Sequence, residues 1–256
     1  MSLFDQIIFG PIHSRRLGLS LGVNLLPVDA KICSFNCIYC ECGFNTTMHE
    51  WDMPTREQVS ECLEIKLRQM SEEGQLPDVI TFAGNGEPTL HREFEHIIDD
   101  TLQLRDRFCP ATKVSVLTNS TRLHKPAVFR ALRKVDNPIL KLDSAFDATV
   151  RILDQPTGKL FSVAWLVEQM KRFESGFIIQ TMFLRGEYKG CKFDNTTEEE
   201  VLAWLDILKE VSPRQVMIYT IDRETPVKNL QKIPLHELQV IAEQVKALGF
   251  DVSVAG

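Results

Sequence analysis

Short apolar runs and longer amphipathic stretches alternate along this chain from residue 19 onward. The runs LSLGVNLLP (19–27), DVITFAG (78–84), KVSVLTN (113–119), PILKLDSA (138–145), GFIIQTMFLRG (176–186) and RQVMIYTID (214–222) read as strands, and FDVSVAG (250–256) as a last short one. Between them, apolar residues recur at helical spacing over 59–70, 93–108, 125–135, 162–173, 197–211 and 235–249. Thr55 and Gln58 form a capping-box pair ahead of the first helix, Thr197 has the chemistry of an N-cap for the fifth, and Gly74 and Gly249 mark helix ends. The strands are apolar throughout instead of alternating, which is the pattern of a parallel sheet covered by helices. About six strand–helix units therefore predict an α/β fold, either a barrel or partial barrel or an open doubly wound sheet. In each of these, active residues belong to the loops that follow the strands. No linker, repeat or low-complexity tract interrupts the series, so 1–256 is expected to be a single domain.

Composition narrows the class. With 44% hydrophobic and 25% charged residues among 256, the chain is of ordinary globular type. A net charge of −6 weighs against sequence-independent nucleic-acid binding, so nucleic acid is left open as a partner but not favoured. The opening MSLFDQIIFGPIHSRR lacks a basic-then-apolar leader layout, and no stretch approaches the ~20 apolar residues of a spanning helix. The expectation is a cytoplasmic protein without membrane contact. Thiols stay reduced there, so its seven cysteines read as metal ligands or reactive groups before they read as disulfides.

Four of the seven, Cys33, Cys37, Cys40 and Cys42, crowd into CSFNCIYCEC, within a long loop over about 28–54. Two metal readings compete. Zinc favours paired knuckles completed by a distant second pair. Cys37 and Cys40 would make one pair, but Cys62, Cys109 and Cys191 are scattered singly, which leaves Cys42 or His49 to complete a local site. An iron–sulfur cluster would instead take Cys33, Cys37 and Cys40 as three thiolates, with one iron left open to a substrate or cofactor.

A C-x3-C-x2-C trio with an aromatic residue before its last cysteine, here Tyr39, resembles the signature of the radical S-adenosylmethionine superfamily when it follows the first strand of an α/β chain. The resemblance covers nearly the whole chain. It implies a partial (β/α)6 barrel of parallel strands with outer helices, and a cluster in the loop after strand one. After strand two, GNGEPTL (84–90) is by itself ordinary Gly-Asn-Gly turn chemistry with a helix boundary at Pro88. Beside the cysteines it resembles the family's GGE-type motif, with Asn85 in place of a second consecutive glycine. The resemblance then implies that Gly84, Asn85, Gly86 and Glu87 meet the cofactor's methionine amino group, the Glu87 carboxylate pairing with the ammonium. Asn119 and Ser120 after strand three, and Lys141, Asp143 and Ser144 after strand four, match positions that hydrogen-bond the cofactor's ribose and carboxylate in similar proteins. Asp143 is the best candidate, whereas helix capping competes for Asn119 and Ser120. Gln180 and Met182 on strand five point the same way and can line the pocket, Met182 more readily as core. Cys42 is read as a bystander thiol.

FGPIHSRRLGLSLG (9–22) and YTIDRETP (219–226) resemble a narrower group, radical SAM iron–sulfur oxidoreductases related to the tRNA wyosine-base synthases. Arg15, Arg16 and Arg223 could hold an anionic substrate group or the cofactor carboxylate, or simply pair with surface acids. The acids at 198–200 complement a helix dipole. Taken together, the resemblance implies a [4Fe–4S] cluster on Cys33, Cys37 and Cys40 with S-adenosyl-L-methionine at its open iron. Reductive cleavage would give a 5′-deoxyadenosyl radical that takes hydrogen from an unidentified substrate, with electrons from a donor such as flavodoxin or ferredoxin. An activating enzyme of a glycyl-radical protein and a tRNA-base modifying enzyme are alternatives within the class. A non-catalytic metal-binding protein is the alternative outside it, and would have no need of Glu87 or Asp143.

Overall fold

The computed structural model describes residues 3–46, 52–158 and 160–256. The chain opens with a hairpin, β1 (Ile8–Ser14) and β2 (Gly18–Val23), and the cysteine loop leads from it towards α1 (Arg56–Glu72). Strand–helix units follow: β3 (Val79–Phe82) with α2 (Phe94–Phe108), β4 (Lys113–Thr118) with α3 (Pro126–Lys134), and β5 (Asn137–Lys141) with α4 (Asp147–Leu153) and α5 (Val163–Lys171). Next come β6 (Ile178–Met182), β7 (Leu184–Tyr188), β8 (Cys191–Asp194) and α6 (Glu198–Val211). The chain closes with β9 (Gln215–Tyr219), β10 (Leu230–Lys232), α7 (Leu235–Ala247) and β11 (Asp251–Ala255).

One eight-stranded sheet has the order β1-β2-β3-β4-β5-β6-β9-β11. Every pairing from β2 to β11 is parallel, and β1 lies antiparallel on the outer edge of β2. The sheet curls on itself: Leu17, Leu117, Ile139, Ile178 and Met217, from the hairpin turn and from β4, β5, β6 and β9, pack in one interior cluster. Its edges do not pair, so the result is a half-barrel with helices outside, the partial parallel barrel expected from the sequence. The capping box forms as read: Gln58 N donates to Thr55 Oγ1 at 3.2 Å and Thr55 N to Gln58 Oε1 at 2.8 Å. Thr197 caps α6 through Glu200 N. No helix among the described residues is long and apolar enough to cross a membrane.

Several elements depart from the apolar pattern. The run 176–186, expected as one strand, divides at Phe183. Up to Met182 it stays in the barrel, and from Leu184 it pairs with β8 and β10 in a separate three-stranded antiparallel sheet. The switch is set by long-range partners, since Phe183 N donates to Tyr219 O at 2.8 Å and Leu184 N to Asn195 Oδ1 at 2.9 Å. β1 was not expected, because it is a largely exposed edge strand whose short apolar start, Ile8-Phe9, is broken at once by Gly10-Pro11. α4 was not expected either, being a single short helix without a side-chain cap. Substitution Thr55→Ala, which removes one half of the capping box, is expected to cost about 1 kcal/mol in urea unfolding without changing its slope.

Candidate functional site

The loop after β2 is seated on the carboxyl end of β3 first by backbone. Ile32 N donates to Asn85 O at 2.9 Å and Glu87 N to Ile32 O at 3.1 Å, forming an isolated parallel bridge between Ile32 and Gly86. A Cβ on residue 86 would stand 1.7 Å from the Ile32 carbonyl oxygen, and one on residue 84 would stand 2.5 Å from Asn24 Oδ1. With φ of +139° and +132°, both positions demand glycine. Asn85 between them is fully buried: its Nδ2 donates to Phe4 O and Pro27 O, both at 2.8 Å, and its Oδ1 accepts from Phe4 N at 2.8 Å. Its side chain therefore serves the protein's own backbone. On the loop's other side, Asn36 N donates to Asp154 O at 2.8 Å and Ile38 N to Leu153 O at 2.9 Å, so the end of α4 holds it there.

Cys33, Cys37, Cys40 and Cys42 are half-buried free thiols. Phe35 N and Asn119 Nδ2 each reach Cys33 Sγ at 3.4 Å, Cys37 Sγ lies 3.3 Å from Asp154 Oδ1, and Cys42 Sγ lies 3.4 Å from Gly84 O. Burial pushes the Cys33 thiol up to about 12, with the Glu87 charge adding to it. Burial, then Asp154, lifts Cys37 well above the ordinary thiol value. Cys40 goes the other way: a hydrogen bond from the Cys42 thiol and, against burial, the Lys31 ammonium draw it down to about 6. Cys42 is raised in turn by that hydrogen bond and by burial. Lys31 is itself buried, its Nζ donating to Gly43 O at 2.6 Å. Among the described residues, no three His, Cys, Asp or Glu side chains are gathered so as to hold a metal ion. A single zinc would need its ligands converging at about 2.0–2.3 Å on one point. His49 lies outside the described residues. Three thiols on one loop, with two N–H donors within 3.4 Å of Cys33 Sγ and the Cys42 thiol and Lys31 ammonium lowering Cys40, have the chemistry of thiolate ligands to an iron–sulfur cluster.

The strand ends converge on this loop. Glu87 is buried, and its Oε1 accepts from Thr89 N (3.1 Å), Thr89 Oγ1 (2.6 Å) and Thr118 Oγ1 (2.7 Å), while Oε2 accepts from Asn119 N (2.7 Å). Burial raises its pKa, against the pull of those donors. Asn119 links β4 to the cysteine loop, its Nδ2 also donating to Ser34 Oγ at 2.9 Å. Ser120, at φ +69°, is buried with its hydroxyl unpaired. Ser144 donates to Glu200 Oε2 at 2.6 Å and accepts from Phe146 N at 2.9 Å. Thr149 also donates to Glu200, so this acid does more than complement a helix dipole.

Asp143 and Tyr39 meet in a buried ion network. Lys141 Nζ lies 2.6 Å from Asp143 Oδ2 and 3.2 Å from Asp154 Oδ1, and it also contacts the Tyr39 hydroxyl. That hydroxyl donates to Asp143 and lies 3.0 Å from Asp154 Oδ1, while Asp143 Oδ1 accepts from Met182 N at 2.9 Å. Burial works against the Lys141 ammonium, but the two carboxylates outweigh it and hold its pKa well above the usual lysine value. Sequence reasoning missed Lys31, whose signal was a lone charge two residues before Cys33, and Asp154, which lies 117 positions from its partner Cys37 and gave no signal.

Beside the loop, a cavity of about 240 Å³ is lined by Tyr39, Cys40, Leu117, Gln180, Met182 and Tyr219, among others. Both strand-five candidates thus reach it. Arg15 and Arg223 border it but are engaged by acids, Arg15 with Asp222 at 3.5 Å and Arg223 with Glu41 at 2.8 Å.

Parallel strands curled into a half-barrel, with a loop of free thiols seated across the end of the second parallel strand, define an α/β protein with a cysteine loop at the mouth of its sheet. The Radical SAM superfamily model matches residues 28–228, and the chain belongs to that superfamily of enzymes. The family implies a [4Fe–4S] cluster and S-adenosylmethionine. The chain is 30% identical over 220 residues to a UPF0026 protein of Methanocaldococcus jannaschii, a match that covers 84% of this chain and 63% of that protein. It is 28% identical over 235 residues to a Brachyspira hyodysenteriae protein named GTPase Obg, covering 91% of this chain and 32% of the other. The chain therefore spans less than two thirds of both relatives. Among solved structures, Streptococcus suis SuiB bound to S-adenosylmethionine superposes with a TM-score of 0.64 at 16% identity, over 91% of this chain and 50% of that one. TYW1 with a lysine-pyruvate adduct bound gives 0.61 at 12% identity, over 89% of this chain and 73% of that one. Both are likenesses of fold.

Substitution Lys141→Met leaves Asp143 and Asp154 buried without their cation and is expected to cost about 3–5 kcal/mol in urea unfolding. Adding Asp154→Leu should recover part of that loss, because one of the two buried carboxylates left without a cation is then removed. A double variant no more stable than the single one would show that the network is not coupled in this way.

Proposed function

We propose that this protein is a radical SAM enzyme whose cluster is held by Cys33, Cys37 and Cys40. The observation that carries the reading is the three-thiol loop seated by the Ile32–Gly86 bridge beside Glu87 and a cavity within the half-barrel. When bound, the cluster and S-adenosyl-L-methionine supply one-electron cleavage to methionine and a 5′-deoxyadenosyl radical, which takes hydrogen from the substrate. The chain's own residues bind and orient. Asn119 and Phe35 N steady Cys33, and the Lys31 charge offsets the thiolates. Glu87 Oε2, with a single protein donor, together with the Gly84 and Gly86 backbone, receives the methionine ammonium. Gln180 lines the cavity from β6, where it would face a bound molecule. Tyr39, Asp143, Ser144 and Asn85 act mainly as positioning residues, since their polar atoms already serve the loop and its neighbours.

The finer parts of the reading belong to the same proposal. Residues 1–256 act as one core domain in the cytoplasm, reduced by a small donor such as flavodoxin or ferredoxin. The net charge of −6 favours a small molecule over tRNA as substrate. Anaerobically reconstituted protein is expected to show cubane-cluster absorption and EPR, and on reduction to release 5′-deoxyadenosine from S-adenosylmethionine. Cys37→Ala should abolish cluster and product, whereas Cys42→Ala should leave both largely intact. A fully loaded cluster that yields no 5′-deoxyadenosine, or stoichiometric zinc in place of iron, would sink the proposal.

A further inference from the structure

We infer that the cavity inside the half-barrel receives a small oxyanion, the carboxylate or phosphate group of the substrate, on the guanidinium of Arg16. The inference rests on the radical SAM reading only in calling this ligand the substrate. Arg16 stands in the turn between β1 and β2. That turn is fixed, because Ser14 Oγ accepts from Arg16 N at 3.3 Å and Leu17 N at 3.2 Å, and Leu17 packs into the barrel interior. The guanidinium carbon lies 4.4 Å from the centroid of the Tyr219 ring, a cation–π contact that holds the fork in one plane. Its Nη1 is buried and has no hydrogen-bond partner.

The other charged groups at the cavity are engaged: Asp222 by Arg15 at 3.5 Å and Lys232 at 3.2 Å, and Glu41 by Arg223 at 2.8 Å. Of the three arginines at the cavity, Arg16 is the one with a buried donor left unpaired, whereas Arg15 and Arg223 are exposed to water. A buried donor is costly to leave unmade. A planar guanidinium recognises carboxylate and phosphate in a bidentate way that an ammonium does not. Tyr39 and Cys40 also line the cavity, so an anion on Arg16 would lie in the same open-mouthed recess as the cysteine loop. At about 240 Å³ the space is smaller than the roughly 300–1,000 Å³ of most ligand pockets, so it suits a small molecule or the small end of a larger one.

The test is calorimetric titration of inorganic phosphate and of succinate into the anaerobic, cluster-loaded protein at low ionic strength. Wild type is expected to bind one of the two with unit stoichiometry, and the one that binds tells a phosphate from a carboxylate ligand. Arg16→Gln should weaken that binding at least tenfold, and Arg16→Lys, which keeps charge but loses the fork, by an intermediate factor. In wild type, binding should persist with saturating S-adenosylmethionine. Failure of both probes to bind, equal binding by Arg16→Gln, or displacement by S-adenosylmethionine would overturn the inference, the last by assigning Arg16 to the cofactor's carboxylate. Should Arg16→Gln not fold, by circular dichroism, the lysine variant and the wild-type competition still decide. The 5′-deoxyadenosine assay is separate, so loss of that product leaves anion binding standing, and loss of anion binding leaves that product as evidence.

Discussion

The whole site depends on how closely two backbones approach. The Ile32 carbonyl occupies space that a side chain on residue 86 would fill, and the two segments bridge there as if the loop were one more short strand. A long polar loop crossing the end of a sheet must satisfy its own N–H and C=O groups. Here it does so by extending the hydrogen-bonding edge of β3 and leaning on the end of α4. Once Ile32 is fixed, Cys33 follows directly, and Glu87 is fixed from the other side of the same bridge. Asn24 and Asn85 complete the clamp by tying the end of β2 and the N-terminal segment to the same few residues.

Electrostatics is the second constraint. Thiols placed in a half-buried loop prefer to stay protonated, and burial alone moves Cys33 and Cys37 in that direction. The fold opposes this with buried Lys31, with N–H donors aimed at Cys33, and with the Cys42 thiol against Cys40. Deeper in, the single Lys141 ammonium serves both Asp143 and Asp154, and burial, with the Asp143 charge beside it, raises the Asp154 carboxyl to about 7. The cavity is thus polar at its edges and apolar between, a shape that orients a small polar molecule in little water.

Much of this was legible in the chain. The parallel sheet covered by helices could be read because strands buried on both faces appear as uninterrupted apolar runs, and the capping box because its two partners are three residues apart. The partial barrel was implied only by the resemblance carried by the cysteine loop. The cysteine spacing and the GNGE turn marked the ends of two strands for the same reason: local chemistry leaves local patterns. The edge strand β1 and the small sheet of β7, β8 and β10 left little, because their residues are largely polar or exposed and β10 finds β7 only across some forty residues of chain. Asn85 was read as facing the cofactor from its place in the motif, yet its side chain serves Phe4 and Pro27. Of the three arginines grouped together in the sequence, Arg15 and Arg223 pair with acids and only Arg16 keeps a buried, unpaired donor.

The sequence by itself determined the fold class, the position of the thiol trio and the glycines that let it sit down, since each rests on residue type and short spacing. Tertiary structure alone decided which polar side chains remain free to meet a ligand. Asp143, Ser144 and Asn85 carry suitable chemistry in the sequence, but hydrogen bonds to residues far along the chain take up their capacity. Lys31, Asp154 and Arg16 gained their importance the same way, through burial and through neighbours that come together only when the sheet curls.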